Sequence, residues 1–175
     1  LLAQCGMFVP AASATLSPVD YIATHFPVGE HGQLKTGRLA EESGRLSGLF
    51  EHITGNSLLL LNESLASTSP EESLALSEEV VKTLRYLGIR CVFATHLHQL
   101  AASCGRLNQE VNGDATVFSL VAGIDATNDD EHVRTYRIVR GAPVGSSYAR
   151  DIARKSGIGF DELTRMLKKR GLPSE

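Results

Sequence analysis

The sequence predicts an α/β fold built on a parallel sheet. A short apolar run, residues 58–61, and a mostly apolar segment, residues 89–94, are each followed directly by polar residues, and the segment between them has the apolar periodicity of a helix. Runs of this kind are typical of parallel strands that are covered on both faces. A strand, a helix and a second strand of these lengths form a right-handed crossover, which makes the strands parallel. Their carboxyl ends, at Glu63 and His96, are therefore expected at one edge of the sheet.

Upstream of this crossover the pattern predicts four further elements. Residues 1–7 are typical of the end of a helix, and residues 19–26 alternate well enough for a strand. Residues 29–37 are polar and carry glycines, which indicates a loop. Residues 38–53 predict an amphipathic helix, in which Glu42 interrupts the apolar stripe.

The helix of the crossover has clear start and stop signals. Ser69 is placed to act as N-cap and Pro70 as the first helical residue. Glu72 is at position N3, where it would complete a capping box with Ser69. Gly88 follows the last apolar position, where a glycine with a left-handed backbone commonly ends a helix. The helix is therefore expected to span the residues between Ser69 and Gly88.

Downstream, residues 115–121 and 133–139 predict two strands of an antiparallel hairpin, joined by an acidic turn. Residues 141–147 form a loop rich in glycine and serine. Two helices are expected after it, over residues 148–155 and 160–169; the second has an acidic start and a basic end, which suits its dipole.

Length and composition limit the possible classes of protein. The 175 residues, 42% of them hydrophobic, suit one domain spanning residues 1–175. The net charge of −3 provides no basic field of the kind that binds nucleic acid tightly. Three cysteines without CxxC spacing fit reduced thiols in a cytoplasmic protein. No apolar run approaches the length of a membrane span, so no membrane partner is expected.

The two strand ends carry the residue types that suit a hydrolytic site. Glu63 is the candidate general base for water, and Asn62 beside it is expected to face a metal ion. A loop carboxylate that only caps the following turn would show the same pattern. His96 is placed where an imidazole could contact a terminal phosphate and the attacking water, although a histidine at a strand end is often only a hydrogen-bonding structural residue.

Other catalytic motifs are weak or missing. His96 and His98 form a His-x-His pair, which would fit a metallohydrolase, but no HExxH motif or aspartate cluster supplies further ligands. Residues 32–36 superficially resemble a phosphate-binding loop, but Leu34 stands where a glycine is needed. The sequence also contains no GxSxG nucleophile elbow.

Five segments occur together in an order that identifies a family. They are residues 4–11 (QCGMFVPA), 58–63 (LLLLNE), 67–69 (STS), 93–96 (FATH) and 141–149 (GAPVGSSYA). In this order they resemble the carboxyl-terminal half of the MutS-family ATPase domain, a branch of the ABC-type ATPases. The second segment resembles its Walker B strand, the third its D-loop and the fourth its switch histidine.

The resemblance implies a fold, cofactors and partners. The fold would be a P-loop NTPase of the ABC type, a three-layer arrangement of a sheet with flanking helices. The chain would lack its amino-terminal part, with the phosphate-binding loop immediately upstream of Leu1. The cofactors would be ATP and Mg²⁺. The partners would be a second copy through the ATPase domain and DNA through other domains of the full-length protein.

The resemblance also implies residue roles. Gln4 would lie near the magnesium ion and the γ-phosphate, Glu63 would be the base, and His96 would contact the γ-phosphate. The nucleotide-linked D-loop residues that would signal across the dimer are Ser67, Thr68 and Ser69.

Two departures from the family pattern indicate a divergent member. The family usually has Asp where this chain has Asn62, and a neutral amide should hold Mg²⁺ more weakly, through a metal-bound water. Residues 37–42 occupy the place of the signature segment but lack its Ser-Thr pair. A catalytically degraded dimerisation module therefore remains as an alternative to a working ATPase.

Overall fold

Three parallel strands form the sheet that positions the candidate site. The computed structural model describes residues 1–27, 37–126, 132–143, 153 and 156–171. Residues 1–119 form one unit, and residues 120–175 form another. The elements of the first unit, in chain order, are β1 (Tyr21–His25), α1 (Arg38–Phe50), β2 (Ser57–Asn62), α2 (Pro70–Tyr86), β3 (Arg90–Ala94), α3 (His98–Ala102) and α4 (Cys104–Glu110).

The strands are arranged in the order β1-β2-β3, and both pairings are parallel. Because α2 connects β2 to β3, the predicted strand-helix-strand crossover is confirmed. The central strand β2 is one residue longer at each end than the apolar run that predicted it. Its last residue, Asn62, pairs with Ala94, the last residue of β3.

The core lies on one face of this sheet. Leu59 and Leu61 of β2 are fully buried, whereas Leu58 and Leu60, which alternate with them, are only partly buried. The expectation that β2 and β3 are both covered on their two faces is therefore wrong for the described residues. In β3, which is at the edge of the sheet, Arg90, Val92 and Ala94 are exposed, and no residue is fully buried. Residues from α1, α2 and the loop after β2 complete the buried cluster, which comprises Ala23, Leu46, Leu59, Leu61, Leu65, Leu84 and Ile89.

The predicted caps of α2 are confirmed. The Ser69 side chain accepts a hydrogen bond from the Glu72 backbone N–H at 3.3 Å, and Pro70 begins the helix. Gly88 has a φ of 68°, and the Ile89 N–H donates to the Leu84 carbonyl across it at 3.0 Å. This hydrogen bond belongs to the left-handed motif that ends many helices.

The elements before β2 agree with their predictions except at their ends. β1 lies inside the predicted residues 19–26. α1 starts at the predicted residue but ends at Phe50, three residues early. Residues 1–7 form hydrogen-bonded turns around Gly6, in which the Met7 N–H donates to the Leu2 carbonyl, the pattern of a helix end.

The second unit contains a hairpin and a helix. β4 (Leu120–Ala126) pairs antiparallel with β5 (His132–Arg140), as predicted. A helix labelled α5 here covers Phe160–Lys169, with the predicted bounds.

The start of the first hairpin strand was predicted wrongly. Residues 115–119 are not part of β4, because the Asn108 side chain bonds both backbone groups of Val117. The amide of Asn108 accepts from the Val117 N–H at 2.9 Å and donates to its carbonyl at 2.7 Å. These bonds take the place of a partner strand.

Parts of several predicted segments lie outside the described residues. They are most of the loop at residues 29–37, the acidic turn, the end of the loop at residues 141–147, and residues 148–155 apart from Ala153. Within the part of the chain that is described, no helix is both long enough and apolar enough to cross a membrane.

Replacing Gly88 by Ala should lower the free energy of unfolding by roughly 1–2 kcal/mol, because a Cβ at positive φ is strained. No atom lies within 4 Å of the added Cβ, so the effect isolates the backbone conformation. Urea denaturation measures it.

The matched control is Gly48→Ala in α1, where the Cβ also meets no atom within 4 Å but φ is helical. This change should raise the free energy of unfolding by roughly 0.5–1 kcal/mol. Effects of the same sign at both positions would contradict the assigned role of Gly88.

Candidate active site at the carboxyl edge of the parallel sheet

The ends of β2 and β3 bring Glu63 and His96 together. The Glu63 backbone N–H continues the strand pairing by donating to the Ala94 carbonyl at 2.8 Å. Two residues beyond Ala94, His96 Nε2 lies 3.5 Å from Glu63 Oε1. The predicted convergence of the two strand ends is therefore confirmed.

The two side chains differ in exposure. The Glu63 side chain is 27% exposed, whereas that of His96 is 93% exposed. The carboxylate is thus fixed at the wall of the site, and the imidazole projects into solvent. This arrangement suits a fixed proton acceptor and a histidine that can turn toward a bound anion.

Both side chains line a cleft of about 480 Å³. Its other walls come from the loop after β2, the first turn of α2 and residues 95–99. A cleft of this volume is in the range that accepts small-molecule ligands. The Thr95 hydroxyl accepts from the Leu97 N–H at 3.1 Å and thereby shapes the turn that carries His96.

The backbone of the loop after β2 is unusual. Glu63 has a φ of 46° and Leu65 a φ of 65°, both in the left-handed region that non-glycine residues rarely adopt. Each such residue costs on the order of 1 kcal/mol and persists only where its surroundings enforce it. The Leu65 side chain provides part of that enforcement, because it is 3% exposed and belongs to the core cluster.

Buried polar side chains also hold the loop after β2 in this conformation. Glu42 of α1 accepts from the Leu65 backbone N–H at 2.6 Å with one carboxylate oxygen and from the Ser67 hydroxyl at 2.5 Å with the other. His25, the last residue of β1, forms a hydrogen bond of 2.7 Å between its Nδ1 and the Ser64 Oγ. Ser64, Leu65 and Ser67 are thus each hydrogen-bonded to a side chain, His25 or Glu42, that does not line the cleft.

His25 is almost fully buried, and burial lowers its pKa below the ordinary value of 6.5. The nearby Arg45 guanidinium lowers it further, while the Glu42 carboxylate opposes the shift. The folded protein therefore favours the neutral imidazole.

Ser67, Thr68 and Ser69, which the sequence predicts as a D-loop, have hydrogen-bond partners within the chain. Ser67 donates to Glu42, and Ser69 caps α2. The Thr68 hydroxyl donates to the Glu72 carboxylate, and this bond is the main reason that the pKa of Glu72 is lowered. Of these three residues, Thr68 lines the cleft.

Gln4 and Asn62 do not join Glu63 and His96 in the cleft wall. The Gln4 side chain donates to the Val19 carbonyl at 2.6 Å and accepts from the Val19 N–H at 3.3 Å. Val19 precedes β1, so Gln4 lies at the amino edge of the sheet, opposite Glu63. Asn62 is half-buried at the end of β2, directly before Glu63.

Sequence reasoning missed three residues of this region, namely Glu42, His25 and Ser64. A signal was present for Glu42, since a carboxylate inside an apolar helix stripe needs a buried partner. His25 shares the inward face of β1 with Ala23, which the period of two along a strand indicates. Ser64 had no distinguishing signal, because its partner is 39 positions away.

The donor set fits part of a magnesium and nucleotide site. Asn62 supplies an amide oxygen and Glu63 a carboxylate at the same strand end, and Mg²⁺ takes oxygen ligands. The described residues contain no group of three or more His, Cys, Asp or Glu side chains that could hold a metal. Asn62 and Glu63 would therefore hold Mg²⁺ through its waters, which this ion usually keeps.

The described residues also lack a complete ligand set for the alternative of a metal site at His96 and His98. His98 also lines the cleft, but no third ligand accompanies His96 and His98 among the residues that the structure describes. A catalytic zinc site ordinarily has three protein ligands. The described residues therefore do not support a zinc hydrolase site at His96 and His98.

Comparisons with known proteins all indicate the same family. A family model described as MutS domain V matches residues 1–166. The DNA mismatch repair protein MutS of Chlorobium limicola is 36% identical over 168 residues, which are 94% of this chain and 18% of that protein. The protein of the same name from Chlorobium chlorochromatii is 34% identical over 171 residues, again 94% and 18%.

An archaeal relative is also similar. The DNA mismatch repair protein MutS 2 of Halobacterium salinarum is 32% identical over 161 residues, which are 90% of this chain and 17% of that protein. The chain thus spans less than a fifth of the length of these curated relatives.

Acidification should destabilise the protein through His25. The unfolded chain titrates this histidine near 6.5, whereas the folded chain has a lower pKa and so binds fewer protons below that pH. The free energy of unfolding contributed by the neutral imidazole should fall as pH drops from about 7 through 6.5 toward the folded pKa. Urea denaturation at a series of pH values measures the slope.

His25→Asn should flatten that slope, because Asn keeps a polar atom near the position of Nδ1 and does not titrate. The control is His52→Asn, which removes an exposed histidine after α1. If His25→Asn leaves the dependence of the free energy of unfolding on pH unchanged, His25 is not the group responsible for it.

Proposed function

This chain belongs to the MutS family, and we propose that it forms part of the ATP-hydrolysing domain of a MutS-like DNA repair protein. One observation carries the proposal: Glu63 and His96 lie 3.5 Å apart at the carboxyl edge of a parallel sheet and line one cleft. Open α/β sheets bind ligands at this edge.

Each residue has a role in the proposed reaction. Bound ATP would supply the phosphoryl group, and Mg²⁺ would neutralise part of its charge. Glu63 orients the attacking water and accepts its proton. His96 donates a hydrogen bond to the terminal phosphate, and its high exposure leaves it free to do so. Asn62 accepts a hydrogen bond from a water on the metal ion.

The remaining parts of the proposal concern the larger assembly. The parallel sheet would be part of a three-layer P-loop NTPase fold of the ABC type, and the phosphate-binding loop would come from outside residues 1–175. The D-loop residues Ser67, Thr68 and Ser69 would contact nucleotide or a second copy only in that complete site. Gln4, which lies at the opposite edge of the sheet, would not contact the nucleotide in this cleft. DNA would be bound by other domains, and a dimer would couple ATP to DNA binding.

Asn62 favours a second candidate function. Without a carboxylate at this position the strand end offers Mg²⁺ one negative charge, that of Glu63. A domain that binds nucleotide and dimerises without turnover would fit this deficit. The two candidates differ in whether phosphate is released.

Replacing Glu63 by Gln should reduce Mg²⁺-dependent ATP hydrolysis by roughly 10²- to 10⁴-fold, because an amide cannot take the proton of water. Phosphate release is measured on the full-length protein that carries this chain. Nucleotide binding, measured by a fluorescent ATP analogue, should remain.

Glu71→Gln is the matched control, since Glu71 is an exposed carboxylate in the first turn of α2. It should leave turnover unchanged. Nucleotide binding without any turnover in the unmodified protein would favour the dimerisation module, and the absence of both would exclude the ATPase.

Asn62→Asp should lower the Mg²⁺ concentration that gives half-maximal hydrolysis, because a second carboxylate at the strand end attracts the ion. A magnesium titration of phosphate release at saturating ATP measures the shift. An unchanged titration would show that Asn62 does not face the metal.

A further inference from the structure

The loop that carries Glu63 has a backbone that its own residues do not favour. Glu63 and Leu65 both have positive φ, and neither is a glycine. The direction in which the Glu63 side chain points depends on this backbone, because the left-handed residue turns the chain at the end of β2. Something outside the loop must therefore hold it.

Glu42 is the side chain best placed to do so. Its two carboxylate oxygens accept from two different groups of the loop, the Leu65 N–H at 2.6 Å and the Ser67 hydroxyl at 2.5 Å. Glu42 is 9% exposed and comes from α1, more than 20 residues away in the chain. A buried carboxylate with both oxygens bonded is a rigid anchor, since both bonds are charge-assisted and the one from Leu65 is buried.

We propose that Glu42 is a positioning residue that holds the loop of residues 64–67 and thereby fixes the orientation of the Glu63 carboxylate. His25 supports the same loop from the β1 side through Ser64. Glu42 itself does not line the cleft, so it acts through the loop rather than on a ligand.

The link also adds hydrogen bonds between α1 and the loop, which already share the core cluster through Leu46 and Leu65. α1 begins at Arg38, after its N-cap Gly37, and Glu42 lies in its second turn. A displacement of α1 would move the carboxylate that holds Leu65 and Ser67. The geometry thus couples the position of α1 to the orientation of Glu63.

The catalytic consequence of this inference rests on the proposed ATPase function, while its structural part does not. Two measurements on the full-length protein separate them. The first is the kcat and KM of ATP hydrolysis. The second is the hydrogen-exchange rate of the Leu65 amide, which reports the bond to Glu42 whether or not the protein hydrolyses ATP.

Glu42→Ala should reduce kcat by roughly 10- to 100-fold, as misplacement of a catalytic group does, and should leave KM within about twofold. Exchange of the Leu65 amide should become faster. Glu41→Ala is the matched control, because Glu41 is the adjacent carboxylate on α1 and shows no hydrogen bond of its side chain to any described residue. It should behave like the unmodified protein in both measurements.

Two conservative variants separate hydrogen-bond geometry from charge. Glu42→Gln keeps the reach of the side chain, since its amide oxygen still accepts from Leu65 and its NH₂ can donate to the Ser67 oxygen. It should retain most of kcat, and its Leu65 amide should exchange as slowly as in the unmodified protein. Glu42→Asp keeps the charge but is one methylene shorter, so it should lose kcat and amide protection; this variant also serves if Glu42→Ala does not fold.

The outcomes are decisive in each direction. Slow Leu65 exchange in both Glu42→Ala and Glu42→Asp would overturn the proposal, as would full activity of Glu42→Asp with an inactive Glu42→Gln. If the unmodified protein shows no ATP turnover, the proposed function fails, and the exchange measurement alone decides whether Glu42 holds the loop.

Discussion

The parallel pairing of β2 with β3 is the constraint on which the candidate site depends. Leu58 pairs with Arg90 and Asn62 with Ala94, and the Glu63 N–H extends the pairing by one more bond to the Ala94 carbonyl. A slip by one residue would turn every side chain of β2 to the opposite face, which would expose Leu59 and Leu61. The burial of those leucines therefore fixes the register, and the register places Glu63 beside the turn that carries His96.

The polar groups behind the site show how a strained loop is kept in a small domain. Burying a carboxylate and an imidazole is unfavourable unless each finds partners. Here both oxygens of Glu42 accept hydrogen bonds, and burial lowers the pKa of His25, which favours its neutral ring. His25 Nδ1 is bonded to Ser64, whereas its buried Nε2 has no hydrogen-bond partner among the described residues. The bonds offset part of the cost of burial, and they make the loop conformation depend on α1 and β1. The site is consequently a property of the whole first unit rather than of the loop sequence.

Local signals predicted the fold well where neighbours in sequence determine the structure. The cap at Ser69, the stop at Gly88 and the apolar runs of β2 and β3 act within a few residues, and all three are confirmed. The convergence of Glu63 and His96 also followed, because two strands joined by a helical crossover run parallel and end at the same edge of the sheet. The prediction failed at residues 115–119, where Asn108, a residue outside the segment, takes the backbone bonds of Val117.

The parts of the site that could not be predicted depend on distant contacts. Glu42 meets its partners 23 and 25 positions away, and His25 meets Ser64 at 39. No local pattern specifies such pairs, since a buried polar side chain indicates only that some partner exists. The departure of Glu42 from the apolar stripe marked the residue, but only the fold identified what it holds.

The neutral side chain of Asn62 has opposite effects on the two components of the proposed substrate. A carboxylate at this strand end would attract Mg²⁺ and repel the phosphates, whereas a neutral amide attracts the ion more weakly and does not repel the phosphates. Under the proposed function, the metal ion is then held mainly by the phosphates and by Glu63, and less charge repulsion has to be neutralised before nucleotide enters the cleft. Nucleotide binding should therefore depend less on Mg²⁺ than hydrolysis does, because only the reaction needs the ion to neutralise the charge that develops on the phosphate. Glu63 remains the proton acceptor under this proposal. Its position is held through the hydrogen bonds that Leu65 and Ser67 donate to Glu42.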